Sequence, residues 1–301
     1  SLLGLAGLCA APFLRARAPE VETEEGPRLW VDPAAAELVD VPEWVDPRWL
    51  ERLRAELART PPFDCADVAF LAPLVASLGA LSFVETVERC ELSPRGELVL
   101  ELALRKPVAC IPAHGDYLLV DEDGVVLEGR WPLPPRLGSV PLPVLVADEL
   151  FERARPGDWL AEPEHEDAID VALSLAENLT VEERVQLGRI EIDAQRARRA
   201  SIDEPGVRLE LAGGRQALFG RGPASDEPGE LAPEAKWRSL ARALALFEQD
   251  PVAHDWNLVD LRWDRPELVL KNAPVVALRS EPARAPERER RARDPSKPHV
   301  R

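Results

Sequence analysis

Apolar and polar residues alternate most clearly in two stretches of the chain. Residues 83–92 run as a strand into a Ser93-Pro94-Arg95-Gly96 turn, and residues 97–104 return with Leu98, Leu100, Leu102 and Leu104 on one face, which predicts a β-hairpin. A second alternation spans Asn257-Leu258-Val259-Asp260-Leu261-Arg262-Trp263, turns at Asp264-Arg265-Pro266 and resumes as Glu267-Leu268-Val269-Leu270-Lys271. No further run of core quality follows Lys271, so this second arm is expected to be the last strand of its sheet. Its far edge would then be open to a partner strand.

Helical spacing fills the region before the first hairpin. Residues 36–41 read as a weak strand, Asp46 caps a helix that Pro47 begins, and Leu50, Leu53 and Leu57 line one of its faces until Pro61-Pro62. Val68, Leu71, Leu74, Val75 and Leu78 predict a second helix with Gly79 near its end. The order is strand, helix, helix, strand, strand.

From Pro107 the pattern changes to short strands at 108–111, 117–121 and 125–128, the last two joined across Glu122-Asp123-Gly124. A helix over 166–178, a strand over 189–193 and a strand pair, 207–211 with 216–219, follow. After a Gly- and Pro-rich loop, Pro233 starts a helix with Trp237, Leu240, Leu244 and Phe247 at helical spacing. The fold class is therefore α+β: a small β-α-α-β-β domain over 36–106, then a mixed, mainly antiparallel β-domain with flanking helices over 107–278.

Composition narrows the function. At 301 residues and 46% hydrophobic content the chain can bury one large core or two modest ones. A net charge of −17 argues against a nucleic-acid partner, which needs a basic field to displace counterions. Residues 279–301 carry eight basic and four acidic side chains, so the rest is four charges more negative than the whole. This basic segment has almost no large apolar residue and is read as a disordered tail.

The chain contains no methionine, so Ser1 is not read as the start of translation. The apolar run from Leu2 to Leu14 is shorter than a bilayer crossing of about 20 residues. Residues 1–18 are accordingly read as a truncated membrane anchor or its C-terminal end, and 19–35 as a linker. A piece of a signal peptide or a buried N-terminal helix would look similar.

Cys9, Cys65, Cys90 and Cys110 form no CxxC and lie near no histidine at metal-ligand spacing, which disfavours zinc. Cys90 and Cys110 fall on predicted strands, where buried free thiols are preferred to a bridge. His165 sits in Glu162-Pro163-Glu164-His165-Glu166-Asp167, which reads as a solvated acidic loop, and His114 and His254 lack persuasive catalytic neighbours. No phosphate cradle, GxSxG elbow or HExxH occurs in a convincing context. Neither catalysis, nor a cofactor, nor a metal is expected.

Three stretches resemble the FtsQ/DivIB bacterial cell-division proteins. Phe83 to Arg89, the Glu97 to Leu104 strand, Arg105-Lys106-Pro107-Val108-Ala109 and Tyr117 to Val126 look like the family's passage out of its polypeptide-transport-associated (POTRA) domain into a strand pair. Val207-Arg208-Leu209-Glu210-Leu211, then Leu218-Phe219-Gly220-Arg221-Gly222 and Lys236, resemble its hairpin, Leu-Gly motif and Lys-bearing helix. Val259-Asp260-Leu261-Arg262-Trp263 is similar to its Asp-Leu-Arg-aromatic strand. Two features depart from the family: Val39-Asp40-Val41-Pro42 lacks the glycine of the first POTRA strand, and the insert at 131–166 is long and Pro-rich.

The resemblance implies a single-pass protein of the bacterial inner membrane with an extracytoplasmic POTRA domain and β-domain. It implies a scaffold that links divisome components, its β-domain edge receiving FtsB/FtsL (DivIC-type) coiled-coil proteins by strand addition. The candidate partner-binding residues are Arg262, Trp263, Glu267, Leu268, Val269, Leu270, Lys271 and Lys236, and Arg242 on the same helix as Lys236 could also meet an acidic partner. Residue physics leaves other readings open: an ordinary edge protected by Lys271 and Pro266, a Trp263 packed on its own sheet, and solvated lysine and arginine on the helix. Other functional classes are a POTRA-containing component of protein translocation or outer-membrane assembly, and an extracytoplasmic hydrolase.

Overall fold

A computed structural model of the chain describes residues 29–146, 151–193, 206–224, 229–249, 256–264, 267–270 and 276–277. Their architecture is mixed α and β, with five α-helices and several sheets. The chain enters through β1 (Trp30–Val31), passes a 3-10 turn that Asp32 caps, and forms β2 (Glu37–Val39). Helix α1 (Pro47–Leu57) starts where Asp46 accepts the Arg48 N–H at 2.9 Å, and the Arg48 guanidinium grips the same carboxylate at 3.0 and 2.7 Å. Those bonds to Arg48 hold the Asp46 carboxyl below its usual range. Trp49, Leu53 and Leu57, at spacing i, i+4 and i+8, give α1 one buried stripe.

Strand β3 (Phe63–Asp64) pairs antiparallel with β1, and helix α2 (Leu71–Gly79) buries Leu74 and Leu78. The predicted hairpin forms as β4 (Val84–Leu92) and β5 (Leu98–Leu104), and β2 joins β5 in parallel to give the sheet order β2-β5-β4.

The second sheet begins with β6 (Pro107–Ala113) and β7 (Asp116–Asp121), followed by the short pair β8 (Arg136–Leu137) and β9 (Val140–Pro141), and by β10 (Val144–Val146). Helices α3 (Pro163–Asn178) and α4 (Val181–Leu187) lead to β11 (Glu191–Asp193), β12 (Val207–Leu211) and β13 (Arg215–Gly220). Helix α5 (Pro233–Gln249) precedes β14 (Trp256–Asp260), β15 (Glu267–Leu270) and β16 (Val276–Ala277). Nine of these strands form one sheet in the order β16-β15-β14-β13-β12-β11-β10-β6-β7. The pairs β6/β10, β10/β11 and β13/β14 are parallel and the others antiparallel. The last two parallel pairs are bridged by helices, α3 with α4 and then α5, as a parallel neighbour requires a crossover.

Strand β6 is packed on both faces. Ala109, Ile111 and Ala113 join the core beneath α3 and α5, while Cys110 joins the core built by α1, α2 and the first sheet. β7 divides likewise, Leu118 and Val120 to one side and Leu119 to the other, and so does β10 with Leu145 and Val144. The domain boundary expected at Pro107 therefore falls inside one continuous hydrophobic cluster. Polar contacts reinforce it: the Trp49 indole donates to the Glu128 carbonyl at 2.7 Å, and the Arg48 guanidinium lies 4.4 Å from the Trp131 ring and donates to the Arg130 carbonyl. Arg105, at the junction, binds Asp121 at 2.6 Å and Asp123 at 3.1 Å.

Several expectations are corrected. Part of the linker expected at 19–35 is core, since Val31 and Pro33 are buried. Residues 125–128 form bridges instead of a strand, because their backbone groups divide between β7 and residues 157–160: the Leu127 N–H goes to the Leu119 carbonyl and the Val126 N–H to the Asp158 carbonyl. The Pro-rich insert supplies the interior strand β10, and α4, which the sequence pattern did not suggest, starts from a capping box between Thr180 and Glu183. The acidic stretch around His165 is the first turn of α3 and not a loop. Cys65, Cys90 and Cys110 are free, and burial pushes the Cys110 thiol up to about 12. No helix among the described residues is long and apolar enough to cross a membrane; Cys9 and the segments 1–18 and 279–301 lie outside them.

The shared core predicts one unfolding transition for both sheets. Trp49→Phe, which keeps most of the stacking on Phe83 at 5.2 Å but loses the indole donor, should cost about 1 kcal/mol, and Trp49→Ala about 3–5 kcal/mol. Urea titrations followed by fluorescence and circular dichroism check both values, and two separate transitions would contradict the common core.

Candidate partner-binding edge

The terminal hairpin forms as the alternation predicts. β14 and β15 pair antiparallel with Leu258 opposite Val269, Val259 opposite Leu268 and Asp260 opposite Glu267, and an irregularity falls between Trp256 and Leu258. Trp256, Val259 and Leu261 point into the core, and β14 is bonded on its other side to β13. The expectation that β15 ends the sheet is corrected: β16 pairs outside it, Val276 opposite Leu268 and Ala277 opposite Glu267. A two-residue strand needs only main-chain partners, so Val276-Ala277 sufficed where no core pattern was visible. The edge of the described sheet is thus β16. Lys271 and the turn at 265–266 lie outside the described residues.

Arg262 and Trp263 follow β14 directly. The Asp260 carboxylate accepts the Arg262 backbone N–H at 3.1 Å and clasps its guanidinium through Nε at 2.9 Å and Nη2 at 2.7 Å. Those bonds hold the guanidinium charged and raise its pKa further. The guanidinium carbon stands 5.3 Å from the Trp263 ring centre, and Trp263 itself is half-buried. The Arg262 carbonyl accepts the Leu231 N–H at 2.8 Å, so the loop before α5 is tied to this corner. Gly229, Glu230, Leu231, Arg262, Trp263 and Asp264 line an open depression beside the hairpin.

Lys236 is not a surface residue. It is 2% exposed, with its ammonium 2.8 Å from Glu230 Oε2, 3.3 Å from the Arg221 carbonyl and 4.6 Å from the centre of the Phe219 ring. The same Glu230 oxygen accepts the Arg221 N–H at 2.9 Å. The physical reason is local: the chain leaves β13 at Gly220 with φ of 85°, and a Cβ there would strike both the Glu230 carboxylate and the Arg262 side chain. Glycine lets Glu230 fold under the corner, and Lys236 in the first turns of α5 supplies the counter-charge. Lys236 therefore braces the corner that carries Arg262 from inside, while Arg242 is exposed on α5. The spacing Gly220, Glu230, Lys236 was the available signal, but Glu230 lies in a loop and the pairing is not periodic.

Of the histidines, His114 adopts a positive φ of 54° in the turn between β6 and β7, His165 is buried, and His254 lies outside the described residues. Among the described residues no group of His, Cys, Asp and Glu could hold a metal ion.

Replacing Lys236 by methionine keeps the volume and removes the ammonium that binds Glu230 and the Arg221 carbonyl, while Arg262 still attracts the Glu230 carboxylate, at an expected cost of about 1–3 kcal/mol. Adding Glu230→Gln to that variant should recover part of the loss, since no buried carboxylate then remains. A double-mutant cycle in urea denaturation measures both, and purely additive effects would contradict the bracing role.

No protein-family model matches the chain, and no curated protein matches it.

Proposed function

We propose that this chain is a non-catalytic scaffold of the bacterial division machinery, of the FtsQ/DivIB kind, that accepts a strand from FtsB/FtsL (DivIC-type) coiled-coil partners along the outer edge of its large sheet. The observation that carries the proposal is the end of that sheet: a two-residue edge strand, β16, beside the β14–β15 hairpin, with Arg262 and Trp263 next to it. Further support comes from the sheet of order β2-β5-β4 with α1 and α2 between β2 and β4, which suits a POTRA domain placed ahead of a β-domain, although the short pair β1 and β3 interrupts the expected β-α-α-β-β succession. In this proposal residues 1–18 belong to an inner-membrane anchor and both sheets stand outside the cytoplasm.

Main-chain groups of the edge supply affinity, and side chains of alternate residues supply register. Arg262, already oriented by Asp260, loses little freedom on binding, and Trp263 offers a broad amphipathic surface; these two residue types dominate interface energetics. Glu267 and Leu268 pair with β16 on one side, and all four residues from Glu267 to Leu270 meet β14 on the other. A proline at Val269 would break the hairpin itself.

The discriminating change is at the rim. Successive N–H groups of an antiparallel strand point alternately toward and away from the neighbour, so one of Val276→Pro and Ala277→Pro removes an outward donor without touching the β14–β15 pairing; the variant of the two that leaves the circular dichroism spectrum unchanged should lower capture of a co-expressed FtsB/FtsL-type complex by at least about tenfold. Arg262→Ala should weaken capture as well. Undiminished capture by the folded proline variant would exclude strand addition at this edge.

A further inference from the structure

His165 is 5% exposed in the first turn of α3, its ring 4.8 Å from that of the fully buried Phe151, and its Nδ1 is buried with no hydrogen-bond partner. We infer that His165 is an acid-sensitive latch: neutral, it locks the first turn of α3 onto the 3-10 turn Phe151–Arg153, and on taking up a proton it leaves this seat and releases that turn.

Three features make the seat hostile to a cation. An imidazolium has two N–H donors, and the buried Nδ1 meets no acceptor. The ring occupies the first turn of a sixteen-residue helix, the end at which the helix dipole is positive. The flanking side chains Phe151, Ala168 and Ile169 are apolar and buried.

Among the described residues, the charged groups of α3 nearest the seat are Glu162, Glu164, Glu166 and, farther along, half-buried Asp170. Glu162, exposed, and Glu164, half-buried, belong to the same turn and attract a cation outward. On the facing 3-10 turn, Glu152 and Arg153 are both exposed, and the Glu152 carboxylate takes the His114 backbone N–H at 3.4 Å. Strand β6, which packs on α3, brings only apolar residues and Cys110. Elsewhere on α3, Asp167 lies against Gly222 and Ser174 accepts the Trp237 indole N–H at 2.8 Å. Burial lowers the His165 pKa and outweighs the opposing pull of Glu162 and Glu164.

The folded-state value is depressed below the unfolded one of about 6.5, so the stability present above about pH 6.5 is lost as pH falls toward the folded value. Over that window the unfolded chain takes up a proton that the latched one refuses.

The test compares the 301-residue chain with His165→Phe, which keeps the stacked ring and cannot titrate, and with His165→Leu in case phenylalanine overfills the site. Between pH 7.5 and 5.5 the unfolding equilibrium constant of the parent should rise, relative to either variant, by up to about tenfold per pH unit. Hydrogen exchange corrected for intrinsic rates should show protection at residues 163–169 falling with pH in the parent alone. Equal pH dependence in parent and folded variants, or an exchange response that spares residues 163–169, overturns the latch.

Discussion

A strand buried on both faces has no side that can be polar, and β6 imposes that constraint on everything around it. Its alternate residues belong to two different cores, so the first sheet with its helices and the large sheet with α3 and α5 cannot be positioned independently. The sequence Pro107-Val108-Ala109-Cys110-Ile111-Pro112-Ala113 is accordingly apolar throughout, the composition of a strand with no exposed face. The Trp49 bond to Glu128 and the Arg105 grip on Asp121 and Asp123 add direction to an attachment whose main term is burial.

At the opposite end of the same sheet the governing element is a charge, not a methyl group. The Glu230–Lys236 pair is enclosed, and it is placed by a glycine whose backbone no other residue adopts comfortably. Such pairs contribute little net stability compared with apolar packing, but they tolerate only one geometry. The corner bearing Arg262 and Trp263 is therefore held in one orientation by a group that never contacts solvent.

Much of this arrangement was legible from local pattern. Asp46-Pro47 announced α1, the leucines of β5 announced its buried face, and the alternation after Asn257 announced the last hairpin. What escaped notice depended on partners distant in sequence. β10 is three residues among prolines, and only its place between β6 and β11 makes it a strand. β16 is shorter still and owes its existence to β15. Lys236 looked like a surface cation because its partner stands six residues earlier, beyond Pro233, and no helical spacing connects them. His165 was hidden for the opposite reason: its acidic neighbours suggested solvent, yet they lie at the rim of a turn whose inner side meets Phe151.

The parallel pairing of β13 with β14 has a consequence for the order in which the molecule is made. β14 follows α5 and reaches its neighbour only by a crossover, whereas β12 and β13 close as a local hairpin. During synthesis the sheet up to β13 can assemble while residues 256–277 are still within the ribosome, and until they emerge β13 is the exposed rim. The outer strand of the finished sheet is made after β13, so a chain cut short before Trp256 would present a different strand as its rim.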